Sequence, residues 1–240
     1  MTRLERVGPD DDGWKELRRY TPARIAPGRA GVSLPTAARL TFRLEASRAR
    51  DAVLAPLDDA CLDGLGVPIT RLASAARDKT EHLLRPDLGR TLSDGSRAAL
   101  DGIARDPSDL AIVVADGLSA GAVHAHAPAV VVGMLAARPG SPVVLVRHGR
   151  VAIGDEIGAL LGARVVVVLL GERPGLTAPD SLGAYLTFDP RPGRTDAERD
   201  CVSNIRAAGL TPADAVGVLS ALVDRALAAG GSGLALLPEG

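Results

Sequence analysis

The stretch RVVVVLLGERPGL, residues 164–176, decides the fold. From Val165 to Leu170 the chain is apolar without interruption and largely β-branched, the mark of a strand buried on both faces, as in a parallel sheet covered by helices. The character changes at once after it: Glu172 leaves the apolar run, Arg173 follows, and Pro174 and Gly175 fix the turn. A carboxylate held rigidly at the end of a buried strand is a directional hydrogen-bond acceptor, and in an open α/β sheet the carboxyl ends of the strands are where ligands gather. Its other use would be inside its own loop or on Arg173.

Working outward, similar short runs recur: AIVVAD (111–116), PVVLVRHG (142–149), AYLTF (184–188) and GLALL (233–237). Helical stretches separate them at 118–137, 151–162 and 211–229, the last opening with Thr211 as N-cap and Pro212 at the first helical position. Alternation of strand and helix predicts a Rossmann-like, mostly parallel sheet with right-handed crossovers and flanking helices. The loops to inspect are DGLSAG (116–121), HGRVAIGDEIG (148–158), GERPGL (171–176) and DPRPGRTDAERDCVSNIR (189–206).

Towards the N-terminus the pattern dissolves. Residues 1–35 hold Pro9, Pro22, Pro27 and Pro35 and read as an extended arm. TAARLTFRLEASRARD (36–51) carries Leu40 and Leu44 on one face and predicts an amphipathic helix, with Thr36 as its N-cap. Short helical pieces broken by Pro56, Gly64, Gly66, Pro68 and Pro86 follow. The division expected is therefore an arm and small helical region over 1–93, then an α/β domain over 94–240.

Composition narrows the function. Among 240 residues, 28 basic side chains nearly balance 29 acidic ones, so no global charge draws the chain to nucleic acid or an anionic membrane. With aromatics at 2%, stacking platforms for single strands are lacking as well. No uninterrupted apolar run reaches membrane-spanning length, and MTRLERVGPDDDGW lacks the apolar core of a secretory signal, so a cytoplasmic location is expected. Cys61 and Cys201 are too far apart to suggest a metal motif and are expected to be free thiols.

Individual motifs have more than one use. Gly117-Leu118-Ser119-Ala120-Gly121 fits the nucleophile-elbow pattern G-x-S-x-G, which would make Ser119 an acyl-transfer nucleophile. Residues 120–148 contain no acid and no histidine follows His148, so the hydrolase order of Ser, acid, His cannot be assembled. Ser119 is better read as a helix cap and Gly117 as a tight-turn residue. A dinucleotide G-x-G-x-x-G is missing from this loop. His124 and His126, two apart on a helix, point in different directions and make a poor metal pair. Asp155 and Glu156 suit the first turn of their helix. Cys201 is either a packing residue or part of a ligand wall.

Together, LRRYTPARIAPGRAGVSLPT (17–36), VADGLSAGAVHAH (114–126), GRVAIGDEIGALLGARVVVVLLGERPGL (149–176), SLGAYL (181–186) and CVSNIR (201–206) closely resemble the small subunit of ethanolamine ammonia-lyase. The resemblance spans nearly the whole chain. It implies an adenosylcobalamin enzyme that converts ethanolamine to acetaldehyde and ammonia by a radical route. It further implies a large (β/α)₈-barrel subunit holding the substrate and a Rossmann-like small subunit closing over the cobalamin. On the family pattern, Val151, Glu172 and Cys201 contact cobalamin, catalytic residues and metal ligands are absent from this chain, and cobalt arrives within the cofactor. Some members of the family enter bacterial microcompartments through an amphipathic leader; residues 1–13 here are acidic and interrupted by Pro and Gly, a poor helix. Two readings stay beside this one: a stand-alone hydrolase using Ser119, and a non-catalytic assembly protein.

Overall fold

The computed structural model describes residue 14 and residues 16–21, 23–101 and 107–236; the expected character of residues 1–13 lies outside them. After a 3₁₀ turn at Leu17–Arg19 and an irregular segment, α1 runs over Thr36–Leu54. Pro35, not Thr36, occupies the N-cap, and Thr36 is the first helical residue. The fixed φ of proline sets the entry, while the missing cap bond leaves the first turn to solvent. No residue of α1 is buried.

The sheet contains β1 (Ile69–Ala73), β2 (Ser108–Ala115), β3 (Val143–Arg147), β4 (Ala163–Gly171), β5 (Leu182–Phe188) and β6 (Arg199–Ile205), in the spatial order β1-β3-β2-β4-β5-β6. The first four are parallel, β5 is antiparallel to β4, and β6 is antiparallel to β5. The helices are α2 (Lys79–Leu84), α3 (Asp94–Asp101), α4 (Ala120–Ala137), α5 (Ile153–Leu161) and α6 (Pro212–Ala229). The expected Rossmann-like α/β architecture is present as a mixed sheet between two helical layers.

The mostly parallel expectation holds for β1–β4 and is refined at β5 and β6, and two further readings are corrected. A parallel return needs a helical crossover of a dozen or more residues. The β4–β5 and β5–β6 connections, 172–181 and 189–198, contain no α-helix, so the chain doubles back. Second, the 189–206 segment, read as a loop, contains β6, an edge strand that buries Arg199, Val202 and Ile205 and leaves Cys201, Ser203 and Asn204 exposed. Third, GLALL is not a strand over its described part: Gly233–Leu236 is a 3₁₀ turn, Gly233 has φ +64, and its N–H donates to Asp200 Oδ2 at 3.2 Å. The turn is pinned there, without a strand beside it. β1, which lies before residue 94, was not legible as a strand; it pairs with β3.

The core is two apolar layers. On one face, Val123, Ala127 and Val130 of α4 and Leu219 and Val223 of α6 pack on Ile112, Val114, Val167 and Leu169. On the other, Ile153 and Ile157 of α5 and Leu100 of α3 cover Val113, Val144, Val166 and Val168. Adjacent residues of one strand thus serve opposite layers, which is why Val165–Leu170 has no polar member. α4 is long and apolar enough by composition to cross a membrane. Here it lies on the sheet beside α6, so the sheet covers one side of it and α6 another, which accounts for much of its apolar character. The α4–α6 approach is close: a Cβ on Gly133 would stand 2.5 Å from Val216 Cγ2.

β2 and β3 are neighbours whose crossovers leave to opposite faces, α4 to one and α5 to the other. That divergence opens a crevice at the carboxyl ends of the strands, where doubly wound sheets bind ligands.

Candidate functional site

At this edge the loop after β2 meets the loop after β4. Gly117 has φ +50, and Leu118 N–H donates to the Gly171 carbonyl at 2.8 Å. Ser119 then caps α4: its Oγ accepts from Ala122 N–H at 3.2 Å and donates to the Pro179 carbonyl at 3.0 Å. The side chain is wholly buried and both bonds serve the backbone, the geometry of a cap and not of an exposed nucleophile.

A charged cluster that sequence reasoning missed anchors the same turn. Asp116, 1% exposed, receives Lys79 Nζ at 2.8 Å and Gly149 N–H at 3.2 Å, with His148 Nδ1 at 3.5 Å. Burial works against the Asp116 carboxylate, but the neighbouring His148 ring and the charge and hydrogen bond of Lys79 outweigh it and hold its pKa below the usual range. Lys79 also donates to the Gly117 carbonyl at 2.9 Å, and His82 Nε2 donates to the same oxygen at 3.0 Å. Burial, reinforced by the Arg150 charge, lowers His82 to about 4, so it is neutral at pH 7. The cluster ties α2 and the loops after β2 and β3 to one another. No local pattern joins Lys79 to Asp116, 37 positions apart.

Glu172 stands beside this turn. Its Oε2 accepts from the Ser181 hydroxyl and, at 3.4 Å, from Asn204 N–H. The carboxylate is thus tied across its own loop to β6, not to Arg173. Glu172 lines a hollow of about 410 Å³ with Leu118, Arg150, Leu170, Arg173 and Tyr185. Val151 lines the adjoining hollow of about 440 Å³, which shares Arg150 and Leu170. Cys201, exposed on β6, is the register partner of Tyr185. Burial, with the neighbouring Cys201 and Glu172 groups, pushes the Tyr185 phenol up to about 12. Although the residue as a whole is exposed, partial desolvation of its sulfur and the Glu172 charge push the Cys201 thiol up, which keeps it protonated and weakly nucleophilic. Val151 and Glu172 therefore line two adjoining hollows, and Cys201 lies outside both, next to Tyr185 at the margin of the second.

The other residues singled out serve structure. Asp155 forms a buried two-pronged pair with Arg199, at 2.6 and 2.7 Å. Glu156 accepts from Leu92 N–H at 2.8 Å and from Arg97 Nε at 2.7 Å. His124 Nε2 accepts from Asp58 N–H, whereas His126 lies 3.5 Å from Asp180, so the two diverge. Cys61 is a free thiol in a half-buried position. A larger concavity, about 690 Å³, lies at the opposite end of the sheet beside Phe188, Pro190 and Ser232.

Fold and face define a Rossmann-like α/β domain that presents an open surface at the carboxyl ends of its parallel strands instead of an enclosed cleft. The family follows from comparison with known proteins. The profile for the ethanolamine ammonia-lyase light chain (EutC) matches residues 11–237, and the chain belongs to that family. It is 53% identical over 234 residues to the ethanolamine ammonia-lyase small subunit of Bradyrhizobium diazoefficiens, covering 93% of this chain and 90% of the relative. With that of Xanthomonas campestris pv. campestris it shares 52% over 243 residues, 96% and 89% of the two chains. With that of Azotobacter vinelandii it shares 50% over 247 residues, 98% and 92%.

Proposed function

We propose that this chain is the small subunit of an adenosylcobalamin-dependent ethanolamine ammonia-lyase, which converts ethanolamine to acetaldehyde and ammonia by a radical route. In this reading Val151, Glu172 and Cys201 contribute to the cobalamin site, and a barrel-type large subunit holds the substrate. The observation that supports it is that Val151 and Glu172 line adjoining hollows at the carboxyl ends of the parallel strands, with Cys201 beside Tyr185 at their margin. A cytoplasmic location, with or without enclosure in a microcompartment, goes with this reading.

The residues present suit such a cofactor. Leu118, Leu170 and Val151 offer apolar surface to a flat macrocycle, and Glu172 offers an acceptor to side-chain amides. Both hollows are shallow, so a second wall must come from the partner before water is excluded. When bound, adenosylcobalamin supplies the cleavable cobalt–carbon bond. This chain's share is orientation: the Gly117–Gly171 contact and the Lys79–Asp116 pair fix the loops, and the loops fix Arg150, Val151 and Glu172.

Reconstitution tests the division of labour. The purified chain alone is expected to turn over no ethanolamine, and the chain combined with the large subunit and adenosylcobalamin is expected to be active. Sustained turnover by this chain without its partner would refute the proposal.

A further inference from the structure

In the α/β part of the chain, most of the described arginines are committed. From β1 onward, those described have carboxylate partners within ion-pair distance, with three exceptions. The exceptions are Arg90, Arg150 and Arg173. All three border the face described above: Arg90 and Arg150 line the Val151 hollow, and Arg150 and Arg173 line the Glu172 hollow. The concavity at the other end of the sheet shows the contrast. Arg164, Arg191 and Arg194 line it as well, but Asp109, Asp189 and Glu198 neutralise them.

Arg90 and Arg150 are held against each other, and Arg173 faces Arg150 across the Glu172 hollow. Arg150 N–H donates to the Gly89 carbonyl at 2.7 Å, which places Arg150 against the turn that carries Arg90. The Arg150 stem lies on Gly89, where a Cβ would stand 2.8 Å from its Cγ. Its Nη2 donates to the His82 carbonyl at 3.2 Å, while its Nε is buried without a partner. Asp116 attracts Arg150 electrostatically but is already occupied by Lys79, and Arg90 repels it. Glu172 is held by Ser181 and Asn204, and Asp196, in the Val151 hollow, leans toward Arg199 at 3.5 Å. Like charges held together without a counterion are a standing electrostatic cost, and an anion entering the face removes it. Planar guanidinium donors match phosphate oxygens.

We propose that Arg90, Arg150 and Arg173 form an anion-binding arc that receives the phosphodiester of the cobalamin nucleotide loop. This rests on the cobalamin reading above. The side-chain amides of the macrocycle are neutral, so the phosphodiester is the anionic group the cofactor brings. The arc then sets which way round the cofactor lies on the face, with the nucleotide side toward Arg150.

The test compares adenosylcobalamin with adenosylcobinamide, which lacks the nucleotide loop and its phosphate, on the assembled complex of this chain and its large subunit. Binding is followed by the change in corrin absorbance. Arg150→Gln and Arg173→Gln are each expected to weaken adenosylcobalamin binding about 10- to 100-fold, as for loss of a charged hydrogen bond, and to leave adenosylcobinamide within about twofold. Wild-type affinity for adenosylcobalamin should fall with added salt more steeply than that for adenosylcobinamide. Arg173 is exposed, so its variant folds even if the half-buried Arg150 proves needed for folding. Equal losses for both ligands would overturn the arc, as would unchanged binding of adenosylcobalamin. Weaker assembly of the subunits without cofactor, with normal cofactor affinity once assembled, would give the arginines to carboxylates of the partner instead. A wild-type complex that binds neither ligand would overturn the cobalamin reading itself, and the arc with it.

Discussion

Gly117 and Gly171 meet backbone to backbone: a Cβ on Gly117 would stand 2.4 Å from the Gly171 carbonyl oxygen. The reverse contact is tighter, since a Cβ on Gly171 would lie 2.1 Å from the Ser119 carbonyl and 2.5 Å from that of Asp116. Neither obstacle is a flexible side chain. Gly171→Ala must therefore part the loops after β2 and β4, and the expected cost is about 3 kcal/mol or more, at the upper end for overpacking. Urea denaturation of the full chain measures it. A loss under 1 kcal/mol would mean that the two loops slide past each other freely.

Ser119 gives the opposite expectation for chemistry. Its Oγ serves Ala122 N–H and the Pro179 carbonyl, so Ser119→Ala should cost about 1 kcal/mol, as for other helix caps. Ethanolamine turnover by the assembled enzyme should stay within a few-fold of wild type. A folded variant inactive by several orders of magnitude would restore Ser119 as a nucleophile.

How much could be read without coordinates follows from where the stabilising contacts lie along the chain. Val165–Leu170 declared a strand because both its faces are covered, and the G-x-S-x-G loop declared a turn and cap because those demands are local. β1 stayed hidden because ITRLA is a short edge strand with Arg71 turned toward Asp59 and Asp63. β6 stayed hidden because an edge strand in the midst of charged residues has the composition of a loop. The Glu172 loop was found by its rigidity, but its tie to Ser181 and Asn204 depends on the antiparallel return of β5 and β6, which a βαβ reading does not contain. The Lys79–Asp116 pair and the commitments of the arginines are long-range facts with no local signature.

His82 makes stability depend on pH. Its folded pKa is about 4, below its ordinary value of 6.5, because burial penalises the charged ring. Between those values the unfolded chain binds a proton that the folded chain refuses, so stability falls as pH falls from about 6.5 towards about 4 and is unaffected by this group above that window. Going from pH 7 to pH 5, His82 should remove about 2 kcal/mol, most of what a shift of this size gives. His82→Gln, which keeps a donor for the Gly117 carbonyl, should lose that increment. Urea midpoints of the two proteins at both pH values check this; parallel pH dependence would show that His82 is protonated in the folded state at pH 5.

Glu172 is where structural and ligand roles can be separated. Both internal hydrogen bonds fall on Oε2, while Glu172 also lines the hollow with Arg150 and Tyr185. A glutamine keeps an acceptor oxygen for Ser181 and Asn204, so Glu172→Gln should lower stability by no more than about 1 kcal/mol. If the carboxylate also accepts from a cofactor amide in the closed interface, the same change weakens or mispairs a charge-assisted bond worth about 1 to 3 kcal/mol, and cofactor affinity falls roughly 5- to 150-fold. Saturating cofactor should recover most of the turnover, because the lesion is in binding. Ser181→Ala is the matching control: it removes one internal bond and should reduce stability while moving the titration midpoint little. The measurement is a cobalamin titration of the reassembled variants beside thermal unfolding of the isolated chains. A Glu172→Gln complex with an unchanged midpoint and a lowered unfolding temperature would assign the carboxylate to the β4–β6 tie and remove it from the site.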